Sequence, residues 1–168
     1  MAETLTLVTG PPGIGKTSVG KALEARGFNV IDADTSGLLR WGKEPQLKPK
    51  ASAAWLFANP PHWNEDDREL LRRDGRVLTG WFPGVLRFVG IADQTYYLSP
   101  NWKLNVIVDR MNKREDDTFG KTKAQIVFSL IAAATFEFGM RAIAIFKKNV
   151  KILDASANSP EQLSSKIV

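Results

Sequence analysis

The sequence contains no cysteine and a single histidine, His62, among its 168 residues. The absence of cysteine excludes a disulfide scaffold, a thiolate zinc site and a cysteine nucleophile. With one histidine, a histidine-rich metal site and a Ser-His-Asp triad elsewhere in the chain are nearly excluded too. The chemistry of this chain must therefore use backbone amides, lysine, arginine, carboxylates and hydroxyls.

The charge balance is mildly basic. Lysine and arginine number 23 against 18 aspartate and glutamate residues, which gives a formal net charge of +5. This excess is compatible with phosphate-bearing ligands, but it is spread along the chain. The length is that of one domain, so we treat residues 1–168 as a single unit.

The apolar segments do not predict a membrane protein. Met1 to Glu3 carry no basic segment before the first apolar run, so we expect no secretory signal. The run from Ile126 to Phe136 is short for a bilayer and is followed by Glu137 and Arg141, which predicts a buried helix. We expect a cytoplasmic protein, monomeric or weakly dimeric, that does not bind membranes.

Strand and helix patterns alternate along the chain. Predicted strands cover Thr4–Thr9, Phe28–Ile31, Arg76–Thr79, Gln94–Leu98 and Val150–Leu153. Predicted helices include Lys16–Arg26, Thr35–Trp41, one from Ser99-Pro100 to about Lys113, Lys121–Phe146 and a last one from Ser159-Pro160. This alternation predicts an α/β fold, with a five-stranded parallel sheet and helices on both faces.

A phosphate-binding loop follows the first predicted strand. Residues 10–17 read Gly-Pro-Pro-Gly-Ile-Gly-Lys-Thr and match the G-x-x-x-x-G-K-[ST] pattern in full, between a strand and a helix. Glycines allow the backbone amides to approach phosphate oxygens, and the helix N-terminus favours negative charge. The predicted nucleotide-binding residues are Gly10, Pro11, Pro12, Gly13, Ile14, Gly15, Lys16, Thr17 and Ser18. The pattern predicts a P-loop NTPase, with Lys16 on the β- and γ-phosphates and the Thr17 hydroxyl on Mg²⁺.

The amino-acid sequence of this loop resembles that of the adenylate kinase family of nucleoside monophosphate kinases. Four later segments resemble that family in the same order, at Thr35–Arg40, Val77–Pro83, Asp109–Asp117 and Ile152–Glu161. The resemblance implies that Arg40 holds the acceptor's phosphate and that Arg110 and Arg114 belong to a lid at about 110–121. It also implies an acceptor-binding excursion at about 35–75. Gly80, Arg87 and Arg141 are further acceptor-binding candidates, although Arg141 could instead extend from the core to the surface.

Two positions depart from that family. Thr79 stands where the family has the aspartate that holds the waters of Mg²⁺, and Gly84 stands where it has an arginine. The stretch Ile31-Asp32-Ala33-Asp34 resembles shikimate kinases instead. That resemblance implies a place near the metal for Asp32 and contact with an acceptor hydroxyl for Asp34.

The prediction is an ATP- and Mg²⁺-dependent kinase that transfers the γ-phosphate to a small acceptor. The predicted catalytic residues are Lys16, Asp34, Arg110 and Arg114, and the predicted metal ligands are Thr17 and Asp32. A nucleoside monophosphate is the favoured acceptor, and a small hydroxylated compound of the shikimate type is the alternative.

Other functions stay open at this point. The Lys-rich segment 43–50 and five tryptophans allow a polynucleotide 5′-hydroxyl kinase or a nucleic-acid-binding ATPase. Residues 112–115, Asn-Lys-Arg-Glu, resemble the guanine-binding motif of small GTPases. That motif should follow a strand and end in aspartate, whereas Asn112 is predicted to end a helix.

Overall fold

The computed structural model describes residues 4–33, 36, 40–41, 61–62, 76–80, 85, 89–113 and 123–167. Within these residues the strands are β1 (Thr6–Thr9), β2 (Val30–Asp32), β3 (Arg40–Trp41), β4 (Pro61–His62), β5 (Val77–Gly80), β6 (Gln94–Ser99) and β7 (Val150–Asp154). The helices are α1 (Lys16–Glu24), α2 (Leu104–Asn112), α3 (Lys123–Phe146) and α4 (Pro160–Ser165).

Five of these strands form one parallel sheet in the order β2-β5-β1-β6-β7. Strand β1 pairs Thr6 with Val77 on one side and with Gln94 on the other. The sheet confirms the predicted α/β class. Because β1 is central and the chain crosses to opposite sides of it, the carboxyl end of β1 is a topological switch point, where α/β sheets bind ligands.

Strands β3 and β4 form a separate antiparallel pair, with Arg40 opposite His62 and Trp41 opposite Pro61. The helix predicted at Thr35–Trp41 is therefore wrong at its last two residues. Pairing with a segment twenty residues away overrides the local helical pattern there, which is common for short elements.

Helices cover both faces of the sheet, as predicted. One apolar cluster joins the sheet to α1, α2 and α4 through Val19, Leu23, Ile107, Met111 and Leu163, and it also includes Ala133 of α3. The other cluster joins the opposite face to α3 through Tyr97 and Met140. Helix α4 begins at the predicted Ser159-Pro160 with a capping box, in which Ser159 and Gln162 satisfy each other's backbone amides.

Helix α3 differs from its prediction, because only one face of it is buried. Ala133, Glu137 and Met140 are fully buried, whereas Val127 is 54% exposed and Ile131 63% exposed. The buried-helix prediction is therefore wrong for the outer face. By length and composition alone, Gln125–Phe146 is long and apolar enough to cross a membrane, a test that core helices of soluble proteins also pass. Here the inner face of α3 packs on the sheet.

The helix start predicted at Ser99-Pro100 is also wrong. Ser99 is the last residue of β6, and α2 begins only at Leu104. The intervening turn gives Asn101 and Trp102 positive φ angles of 51° and 63°, which interrupts a helix. The Ser99 hydroxyl accepts a hydrogen bond from the Asn101 amide (2.8 Å) and donates one to Glu137 (2.6 Å). The side chain that resembled a helix cap thus stabilises a turn.

Candidate active site

The phosphate loop lies at the carboxyl end of β1, as the sequence predicts. Gly13 and Gly15 have φ angles of 82° and 101°, which side chains other than glycine rarely adopt. Helix α1 begins directly after the loop, with neither a capping side chain nor an acidic residue in its first turn. Its first amides are therefore not occupied by a capping side chain of the helix itself, which leaves them available to bind phosphate.

Gly10 brings the loop into contact with the neighbouring strand. A Cβ atom at Gly10 would lie 2.7 Å from the Leu98 carbonyl oxygen and 2.9 Å from a methyl carbon of Ile14. Both distances are shorter than side-chain carbons tolerate. Glycine at position 10 is therefore required for the course of the loop beside β6.

Lys16 is the first residue of α1 and is only 9% exposed. Its Nζ donates a hydrogen bond to the Pro11 carbonyl oxygen at 3.0 Å, so the ammonium group lies across the loop. A buried ammonium group in a loop of backbone amides is placed to neutralise phosphate oxygens.

Thr17 and Asp32 meet at the metal position that the sequence predicts. The Thr17 hydroxyl donates to the Asp32 carboxylate (Oγ1 to Oδ2, 3.2 Å), and Asp32 is the last residue of β2. Within the described residues, no three His, Asp or Glu side chains converge as metal ligands. One hydroxyl and one carboxylate fit Mg²⁺, which usually takes few protein ligands and completes its shell with phosphate oxygens and water.

Thr79, in β5, does not replace the aspartate that the adenylate kinase family has at this position. Its side chain is 1% exposed, and its methyl group lies toward Gly20, where an added Cβ would be 3.4 Å away. Its hydroxyl points to the Ile31 carbonyl oxygen at 3.5 Å. Thr79 therefore serves the contact between α1 and the sheet. Gly80, the next residue, pairs with Thr9 and accepts a hydrogen bond from the Thr9 hydroxyl at 2.9 Å, so it lies beside the loop.

Arg110 joins the phosphate loop to the segment after β7. It belongs to α2, which continues to Asn112, so the first residues of the predicted lid are helical. Its guanidinium donates to the Ile14 carbonyl oxygen and, at 2.8 Å, to that of Ala155. Burial lowers the pKa of Arg110 below its ordinary value. Arg110 is therefore a half-buried positioning residue against the loop, and its predicted role in a lid stays a prediction.

Arg141 is part of a polar network between α3 and the ends of β6 and β7. Its Nε lies 2.7 Å from Oε1 of Glu137, and its Nη2 donates to Asn101 at 3.2 Å. The Asn101 amide group in turn donates to Asp154 at 3.0 Å. This network extends along the same edge of the sheet as the phosphate loop. The sequence analysis gave no role to Glu137, although it is the one carboxylate in a long apolar run and lies four residues before Arg141.

Glu137 is fully buried, and its second oxygen, Oε2, has no hydrogen-bond partner among the residues that the structure describes. The Tyr97 hydroxyl is likewise buried, and it has no hydrogen-bond partner of normal geometry in the described part of the chain. Burial raises the pKa of Tyr97, and the negative charge of Glu137 raises it further. Tyr97 therefore stays protonated, and a small side-chain adjustment would let it donate to Glu137.

Asp154 gives this network a measurable acid dependence. The Ser156 hydroxyl, 2.6 Å from Oδ1, lowers the pKa of Asp154, and the Ser156 amide and Asn101 act in the same direction. A carboxylate whose pKa is lower in the folded state stabilises the fold at pH values above its pKa in the unfolded state. That stabilisation is lost as the pH falls through the pKa of the folded state. We expect Asp154→Asn to reduce the free energy of unfolding at pH 7, and the difference from wild type to shrink below about pH 4. Chemical denaturation at several pH values checks this, and a constant difference would contradict it.

Several predicted site residues lie outside the described residues. Asp34, Arg87 and Arg114 are among them, and Arg40 is described only through its backbone in β3. Most of the predicted excursion and of the predicted lid also lies outside them. The structure brings together Lys16, Thr17, Asp32, Gly80 and Arg110 around the loop. No described hydrogen bond joins Arg141 to the loop directly.

No protein-family model matches this sequence, and no curated protein sequence matches it. Solved structures are similar in fold. A shikimate kinase from Acinetobacter baumannii in complex with shikimate is 18% identical, with 98% of this chain and 90% of that one covered and a TM-score of 0.59. A gluconokinase from Sinorhizobium meliloti is 18% identical, with 98% and 89% covered and a TM-score of 0.57. A Bacillus subtilis protein in complex with phosphorylated GDP is 15% identical, with 98% and 93% covered and a TM-score of 0.52.

The similarity to each of these structures covers nearly the whole chain, so it is not limited to the loop. At such low identity the likeness establishes the fold, which is the α/β P-loop fold that the sequence predicts. The function must be argued from the site.

Proposed function

We propose that this protein is an ATP-dependent kinase that transfers the γ-phosphate to a small acceptor. The observation that carries the proposal is the convergence of Lys16, Thr17 and Asp32 at the loop, at the carboxyl edge of the sheet. That set of groups serves phosphoryl transfer, which asks a protein mainly to position its substrates and to neutralise charge.

Each residue has a defined task in this proposal. The loop amides and the N-terminus of α1 hold the phosphates of ATP, and Lys16 neutralises the transferred group. Thr17 and Asp32 would hold Mg²⁺, which would supply positive charge to offset that of the phosphates. Arg110 fixes the loop against the segment after β7. Asp34 would orient the acceptor hydroxyl or accept its proton, and Arg114 would close over the phosphates.

A hydroxylated acceptor of the shikimate or sugar-acid class is better supported than a nucleoside monophosphate. Asp32 contacts Thr17, which agrees with the shikimate kinase-like Ile31–Asp34 stretch, and buried Thr79 offers no carboxylate. The proteins of similar fold also include a shikimate kinase and a gluconokinase. The nucleoside monophosphate stays a prediction, and the fold likeness to a protein with bound phosphorylated GDP keeps it in the tests.

The GTPase alternative has no support from the described geometry. Asn112 is the last residue of α2, so it does not follow a strand as the guanine-binding motif requires. The nucleic-acid alternative stays a prediction, since its Lys-rich segment lies outside the described residues.

The experiment that tests the proposal is an acceptor screen. Wild-type protein with ATP and Mg²⁺ is offered hydroxylated acids, sugar acids, nucleosides, nucleoside monophosphates and 5′-hydroxyl oligonucleotides, and ADP formation is measured. We expect ADP formation above the acceptor-free rate with one class of small acceptor. Stimulation of ADP formation by oligonucleotides alone would favour the polynucleotide kinase. In a separate nucleotide-binding assay, binding of GTP alone would favour the GTPase.

Asp32 offers a separate test of the metal position. We expect Asp32→Asn to raise the Mg²⁺ concentration for half-maximal activity by about tenfold or more, because removing a group that orients a metal ligand typically costs that much. Glu24→Gln removes an exposed carboxylate from the far end of α1 and serves as the control. An unchanged Mg²⁺ requirement in Asp32→Asn would place the metal elsewhere.

A further inference from the structure

The outer face of α3 carries an apolar surface that the described structure leaves uncovered. Among the described residues, six large apolar side chains are exposed, and five of them belong to α3: Val127, Ile131, Phe138, Ile145 and Phe146. Phe138 is 72% exposed and Phe146 85%. Monomeric proteins rarely expose contiguous apolar patches larger than a few hundred Å². The five exposed apolar side chains on this one helix therefore indicate a surface that another molecule covers.

The exposed residues form a line along the helix. Val127, Ile131, Ala134, Phe138, Ala142 and Ile145 follow one another at steps of three and four residues, which places them on one face. We call this line the α3 stripe. It lies away from the buried face marked by Ala133, Glu137 and Met140. A partner on the stripe would therefore leave the packing of α3 on the sheet intact.

We propose that the α3 stripe is the contact between two copies of this chain, with the two helices packed antiparallel about a twofold axis. Such an axis places each residue of the stripe opposite a residue of the second copy that lies equally far on the other side of the axis. With the axis near residue 136, Ile131 faces Ala142 of the second copy and Phe138 faces Ala134. Large side chains then meet small ones, and Val127 meets Ile145. This size match is what close helix packing requires.

The charges around the stripe are positive at both ends of α3, so either orientation of the two helices meets some repulsion. Exposed Lys147 and Lys148 follow α3 directly, and exposed Lys123 begins it. A parallel pair would bring both Lys147–Lys148 pairs together and would stack Phe138 on its own copy. The antiparallel pair separates the two Lys147–Lys148 pairs to opposite ends of the contact, where each lies near the single Lys123 of the second copy. The remaining repulsion involves exposed side chains, which salt screens.

The size of the stripe is sufficient for a weak dimer. The exposed fractions of its large side chains correspond to roughly 500 Å² of apolar surface per copy. Two copies would bury about 1,000 Å², which is the size of a weak interface. We therefore expect dissociation on the order of micromolar, with tighter association at higher salt.

The alternative occupant is an anionic membrane surface, which exposed phenylalanines next to lysines can also bind. The alternation of large and small residues along the stripe favours a helix partner, because a lipid surface does not require it. The two occupants differ in salt dependence. Attraction of lysines to anionic lipids weakens with salt, whereas the proposed dimer strengthens.

The first test is molar mass by sedimentation, over concentrations from below to above the micromolar range. We expect wild-type protein to shift from monomer to dimer, and Phe138→Glu to stay monomeric at every concentration. Asn105→Glu adds the same charge on exposed α2 and should dimerise like wild type. Both variants should keep the fold and the wild-type activity per chain. A wild type that stays monomeric while co-sedimenting with anionic phospholipid vesicles would overturn the proposal in favour of the membrane.

The second test uses the natural absence of cysteine. In Ile131→Cys/Ala142→Cys, oxidation should form a disulfide between copies, because eleven helical residues separate the two positions by about 16 Å within one chain. Ile131→Cys alone should not cross-link in the antiparallel arrangement. A covalent dimer from the single variant together with none from the double variant would contradict the proposed orientation.

Discussion

Replacing Lys16 by alanine should reduce phosphoryl transfer by at least about a thousandfold. The ammonium group lies 3.0 Å from the Pro11 carbonyl oxygen and is almost fully buried. In the proposed function it is a preorganised positive charge at the place where the transferred phosphate would carry negative charge. Steady-state kinetics with ATP and the acceptor found in the screen measure the change.

The control for this variant is Lys21→Ala, which removes an exposed lysine from the same helix. We expect its kcat and KM to stay close to those of wild type. Circular dichroism and a thermal melt establish whether Lys16→Ala keeps the fold. A folded Lys16→Ala protein with wild-type transfer rates would show that the loop is not where the reaction occurs.

Replacing Gly10 by alanine should damage both the fold and the activity. The new methyl group would lie 2.7 Å from the Leu98 carbonyl oxygen, on a buried central strand that cannot move freely. We expect a loss of about 2 kcal/mol or more in the free energy of unfolding, as for other overpacked interiors. The loop must also shift away from β6, so we expect a loss of ATP affinity of about a hundredfold, since displacing positioning groups by an ångström has effects of that size.

Gly139→Ala is the matched control, because a Cβ atom at Gly139 meets nothing within 4 Å. Gly139 lies inside helix α3, where alanine is favoured over glycine by up to about 1 kcal/mol. We therefore expect Gly139→Ala to raise the free energy of unfolding slightly and to leave ATP affinity unchanged. Equal effects of the two substitutions would contradict the contact described for Gly10.

The strands that could be predicted from the sequence are those whose signals are local. Strand β1 is a short apolar run before a glycine loop, and β7 is another that ends at Asp154 before a polar turn. The phosphate loop is predictable because its glycines and Lys16 are adjacent in sequence. The contact between Thr17 and Asp32 could be expected in outline, since the carboxyl ends of parallel strands share one edge.

Other features depend on neighbours distant in sequence. Ser99-Pro100 has the composition of a helix start, but the Ser99 hydroxyl is already engaged by Asn101 and Glu137. Helix α3 is apolar on nearly every side, which predicts complete burial. Its exposed face cannot be inferred without knowing which elements pack against it. Glu137 was missed because a single carboxylate in an apolar run gives no spacing pattern to recognise.

The central claim, that the loop serves transfer rather than nucleotide binding or hydrolysis alone, is tested most directly by following the γ-phosphate. Wild-type protein is incubated with γ-labelled ATP, Mg²⁺ and the most stimulating acceptor of the screen, and the labelled products are separated. The proposed function predicts label in the organic acceptor, at a rate that falls to background in Lys16→Ala. Label found only in inorganic phosphate, with every class of acceptor, would contradict it.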